Sequence, residues 1–71
     1  MLFDYSKLKG KIKEKGLTQE ELANKIEIDK STLSLKINNQ SVFTQEEIFK
    51  IINILGIAPE EIEEYFFTIK V

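Results

Sequence analysis

The stretch DKSTLSLKINN, residues 29–39, gathers the side chains of this sequence best suited to recognising another molecule. Turned away from its apolar Leu33 and Ile37 are Lys30, Ser31, Thr32, Ser34, Leu35 and Lys36. Serine and threonine hydroxyls donate or accept at base edges, lysine reaches guanine acceptors or phosphates, and a leucine methyl packs on a thymine methyl. Short hydroxyl side chains also let a helix sit close to a groove floor. Each residue taken singly has a plainer role, because Ser and Thr suit helix starts and lysines cover solvated faces.

Catalytic chemistry finds little to work with. The chain has no His and no Cys, which removes Ser-His and Cys-His nucleophiles and most zinc sites. The run Glu60, Glu61, Glu63 and Glu64 suits the positive end of a helix dipole and reads as solvated surface. Neither an enzyme nor a bound cofactor is expected.

The elements that position these residues belong to one domain, residues 1–71, since a chain this short cannot bury two cores. Hydrophobic residues make up 42% of it, enough for a small packed fold. No run approaches the roughly 20 apolar residues of a membrane helix, and the N-terminus MLFDYSKLKG lacks the apolar stretch of a secretory signal. The expected setting is the cytoplasm. Net charge is −2 but unevenly spread: residues 1–38 carry eight Lys against six acids, residues 39–71 two Lys against six. A basic half can offer a local positive face despite the acidic total.

Helix signals run through the chain. Tyr5, Leu8 and Ile12 recur at helical spacing, with Asp4 or Ser6 to cap the start and Gly16 to end it. Thr18 with Glu21 forms a capping box, flanked by a Leu17–Leu22 staple, and Ala23 and Ile26 continue the stripe. Asp29 stands at the N-cap of the next helix, whose Leu33 and Ile37 face inward. Thr44 with Glu47, and Phe43 with Ile48, repeat the box and staple ahead of Ile51, Ile52 and Leu55; Gly56 supplies the stop. Pro59 opens a fifth helix through Ile62, Tyr65 and Phe66. The tail FFTIKV alternates instead and reads as an extended segment over about 67–71. It must pair with the N-terminal MLF, with the tail of a second subunit, or dock as an arm.

Two capped helices, about 18–26 and 30–38, joined by the short turn Glu27–Asp29, predict a helix-turn-helix. On LTQEELANKIEIDKSTLSLKINN the chain resembles the phage repressor and Cro-type helix-turn-helix family, and its size and tail resemble short prophage Cro-like transcriptional regulators. The resemblance implies an all-α, five-helix fold with a short extended C-terminal tail, in which Ala23 lies at the helix crossing and Ile28 is buried in the turn. It implies binding of a double-stranded DNA operator, with Lys30, Ser31, Thr32, Ser34 and Leu35 at base edges. Gln19, Lys36, Asn38, Asn39 and Gln40 would hold the DNA backbone. Glu27 departs from the pattern by standing where the family usually has Gly, at a backbone position that tends to need positive φ; the strain for Glu is about 1 kcal/mol. Asn39 also tolerates that conformation. The recognition helix lacks the Gln or Arg that commonly makes bidentate base contacts.

Partners follow from the same reading. A homodimer is expected, on the ground of the apolar tail residues Phe67, Ile69 and Val71. The alternative is a module of the same fold that pairs with a phage repressor protein instead of an operator, which suits the acidic C-terminal half. A DNA reader needs Lys30, Lys36 and nearby lysines on one face; a protein modulator needs an exposed apolar patch there or at the tail, where Phe66, Phe67, Ile69 and Val71 would supply it.

Overall fold

The structure is a computed structural model that describes residues 2–71. It contains five α-helices: α1 Ser6–Glu14, α2 Gln19–Lys25, α3 Lys30–Ile37, α4 Gln45–Leu55 and α5 Ile62–Phe66, the last led in by a 3-10 turn at Pro59–Glu61. The expected all-α, five-helix architecture is the one observed.

The starts of α2 and α4 form as their sequences dictate. Thr18 Oγ1 accepts from Glu21 N at 3.1 Å while Glu21 Oε1 accepts from Thr18 N at 2.9 Å, and Thr44 and Glu47 repeat the exchange. Each box satisfies two backbone donors that a helix start leaves orphaned. Asp29 occupies the N-cap of α3 with extended backbone, but its carboxylate makes no capping bond. At α1, Asp4 Oδ1 accepts from both the backbone and the hydroxyl of Ser6.

The first four helices end in one device. The residue after the last turn is left-handed: Gly16 at φ 73°, Glu27 at 64°, Asn39 at 64° and Gly56 at 69°. The next N–H then reaches five residues back, Leu17 to Ile12, Ile28 to Ala23, Gln40 to Leu35 and Ile57 to Ile52, at 2.8–3.1 Å. This is the Schellman closure, and it turns the chain sharply after each helix. Glu27 is the residue on which L-chirality weighs most, as the Cro-type pattern predicts.

Every helix contributes to one core. Leu8 and Ile12 of α1, Leu22 and Ala23 of α2, Leu33 and Ile37 of α3, Ile51 and Leu55 of α4, and Tyr65 and Phe66 of α5 are all buried. Fully burying each large side chain contributes about 1.5–3 kcal/mol. α2 and α3 pack directly on one another, with Ala23 fully buried and Ile28 half-buried against the core. A line of tilted and edge-on aromatic contacts runs from Phe67 through Phe3, Tyr5 and Phe43 to Phe66, with centroids 5.4–6.2 Å apart.

The tail resolves onto its own chain. Phe3 and Ile69 form an isolated antiparallel bridge, flanked by Asp4 N to Thr68 O at 2.7 Å and Lys70 N to Leu2 O at 2.9 Å. Thr68 O and Lys70 N are thereby paired within the chain. Of the pairings open to the tail, the one with the N-terminal segment is the one observed, and the side chains of Phe67, Ile69 and Val71, on which a homodimer was expected, remain exposed. No described helix is long and apolar enough to cross a membrane.

Candidate functional site

Two surfaces compete as the working face. The first is the outer side of α3. Lys30 and Ser31 are exposed, Thr32 and Ser34 half-buried, and Leu35 is 45% exposed at the helix centre. Lys30, Ser34 and Asn38 fall in one row at i, i+4 and i+8, with Asn38 Nδ2 donating to Ser34 Oγ at 3.3 Å. Gln19 begins α2 half-buried, and Gln40 is exposed beyond the stop of α3.

Lys36 corrects the sequence reading. Its expected outward position is wrong: the residue is only 6% exposed. Leu33, Lys36 and Ile37 lie at i, i+3 and i+4, so α3 turns all three inward. Lys36 Nζ donates to Glu47 Oε1 at 2.6 Å and to the Val42 carbonyl at 3.1 Å. Glu47 Oε1 also accepts from Thr44 N at 2.8 Å. One carboxylate therefore caps α4 and holds the end of α3 across the connecting loop. Burial by itself pushes the Glu47 carboxyl up. The hydrogen bonds from Lys36 and Thr44 and the charge of Lys36 outweigh it, so the group titrates below the ordinary range. An ammonium held this way is not free to meet a phosphate.

Asn39 is likewise committed. Its Oδ1 accepts from Phe3 N at 2.8 Å and its Nδ2 donates to Phe3 O at 2.9 Å. The carboxamide expected at a DNA backbone instead fastens the N-terminal segment to the end of α3. The conformational part of the expectation holds, with Asn39 left-handed in place of Gly. What remains exposed on α3 is one cation, Lys30; α2 and the turn carry the exposed acids Glu20, Glu21, Glu27 and Asp29 against Lys25, and Glu46 lies in the first turn of α4.

Of the second surface, the sequence reading singled out Phe67 and missed Phe49. Phe49 is 63% exposed on α4. It stands with Gln45, Ile48, Ile52, Ile62 and Phe67 around an open groove of about 430 Å³ between α4 and the α5 end of the chain. Positions 45, 48, 49 and 52 share one side of a helix. A signal was present: Ile48, Phe49, Ile51, Ile52 and Leu55 make a stripe wider than one buried face requires. Next to the groove, sharing Phe67, lies a recess lined by Glu60, Glu63, Glu64 and Thr68. Glu64 is ion-paired with Lys7.

Comparison with known proteins gives the following. No curated protein matches the chain. The solution structure of the modulator of repression (MOR) of the temperate bacteriophage TP901-1 from Lactococcus lactis is similar over the whole fold. Its TM-score is 0.81 at 41% identity, covering 100% of this chain and 96% of that one. The similar structure is that of a small helical phage protein, a modulator of repression. The matching family profile, DUF739, spans residues 1–69, and the chain belongs to this family, described as proteins of unknown function.

Proposed function

We infer that this chain is a phage modulator of repression that acts by binding a repressor protein rather than operator DNA. One observation carries the reading: Lys36, the second cation of the recognition helix, is buried against Glu47. α3 then presents Lys30 as its lone exposed cation, with acids on the neighbouring turn and helix starts. A duplex bears a negative charge every 1.7 Å or so of its axis, and grip on it comes from several Lys or Arg at phosphates. A face of this composition suits a protein better. The 41% identity to a modulator of repression over the full chain supports the same reading. The protein is a binding module without catalysis, and it works in the cytoplasm beside the repressor.

The test is size-exclusion chromatography of the chain mixed with a phage repressor protein, or with that repressor's operator DNA alone. Co-elution with the repressor is the expected result. Co-elution with DNA in the absence of repressor would restore the operator-binding reading.

A further inference from the structure

We propose that the groove between α4 and α5 seats an amphipathic helix of the partner protein, one that carries Lys or Arg along the edge meeting Glu60 and Glu63. This rests on reading the chain as a protein-binding modulator, and adds which surface binds and what chemistry it accepts.

The groove has the dimensions of a helix site. From Gln45 to Ile52 its α4 wall runs about 10 Å at 1.5 Å per residue, close to two helical turns. An apolar groove of that length takes the i, i+3, i+4 and i+7 anchors of an amphipathic helix. Phe49 and Phe67, both substantially exposed, are aromatic side chains of the kind that dominate binding energy at interface centres. Phe67 lines the groove, and the tail beyond it is held on Phe3 and Leu2.

Charge selects the occupant. The acidic recess adjoins the groove at Phe67. Lys7 answers Glu64, whereas Glu60 and Glu63 make no ion pair among the described residues. A helix whose apolar face enters the groove therefore gains by presenting cations on the flank beside α5.

The experiment uses the full chain, isotope-labelled for NMR, and a synthetic amphipathic peptide of Leu and Lys about four turns long. A Leu and Glu peptide of the same pattern is the counterpart. The basic peptide is expected to shift the amides of Ile48, Phe49, Ile52, Ile62 and Phe67 saturably, and the acidic one to bind about tenfold more weakly or worse. Phe49→Asp alters an exposed side chain, keeps the fold's spectrum elsewhere and loses about tenfold or more in peptide affinity. Glu60→Gln with Glu63→Gln weakens binding and flattens its salt dependence. Shifts centred on α3, equal affinity for both peptides, or no binding would overturn the proposal. So would groove shifts that grow with protein concentration alone, which put a second copy there. Failure of the larger reading looks different: peptide binding with no co-elution of repressor removes the modulator but leaves the groove. Undiminished repressor binding by Phe49→Asp removes the groove as its seat but leaves the modulator.

Discussion

Glu27 and Asn39 share a φ of 64° and the same place at the end of a helix, yet substitution to Gly acts on them in opposite directions. Glu27 is exposed and makes no hydrogen bond through its side chain among the described residues, so Glu27→Gly relieves left-handed strain of about 1 kcal/mol. Asn39→Gly relieves less, because Asn tolerates that region, and it removes two hydrogen bonds to Phe3. Its net cost is about 1 kcal/mol or more. Urea denaturation of the two variants should therefore move the midpoint up for Glu27→Gly and down for Asn39→Gly; matching shifts would show that backbone strain alone governs both sites. At Glu47 the folded state lowers the carboxyl's pKa. A depressed folded value stabilises above the unfolded glutamate pKa of about 4.3, and that contribution is lost as pH falls through the lower folded value. Stability of the wild type should fall more steeply on acidification below about pH 4.3 than that of Glu47→Gln, which cannot titrate there. Parallel profiles would mean that Lys36 does not hold this carboxylate in solution.

At the scale of elements, what could be read in the sequence was what is encoded locally. Both capping boxes, the inward residues of α2, α3 and α4, and the left-handed stops at Gly16 and Gly56 depend on partners within five residues. They were legible for that reason. Lys36 was misread because its partner Glu47 lies eleven positions away across a loop, although its spacing from Leu33 and Ile37 already placed it on the inner row. Tail pairing was left open because Phe3 and Ile69 sit at opposite ends of the sequence. Exposure of Phe49 was signalled only by the width of the apolar stripe, because whether an aromatic on its border is covered depends on how closely α5 approaches α4. The two sides of this helical layer should respond differently to truncation. Phe66→Ala empties a site that is 1% exposed and should cost about 3–5 kcal/mol. Phe49→Ala should change thermal stability by less than about 0.5 kcal/mol. A large loss at Phe49 would mean that the groove is closed in solution.

For the whole molecule, charge and apolar exposure point the same way. The lysines of residues 1–38 do not gather on the recognition helix: Lys7 meets Glu64, Lys11 meets Glu14 and Lys36 is buried with Glu47. α2 and α3 pack directly on one another, and the cations expected to grip phosphates from α3 are reduced to Lys30. Exposed apolar side chains stand on α4 at Phe49 and on the tail at Phe67, Ile69 and Val71, with Leu35 on α3 and Val42 in the loop after it. The most direct test is fluorescence anisotropy of the labelled chain, titrated in parallel with a phage repressor protein and with that repressor's operator DNA at two salt concentrations. The account predicts a saturable rise with repressor and only weak, non-specific binding to DNA. A saturable rise with DNA that weakens steeply with salt, and none with repressor, would contradict it.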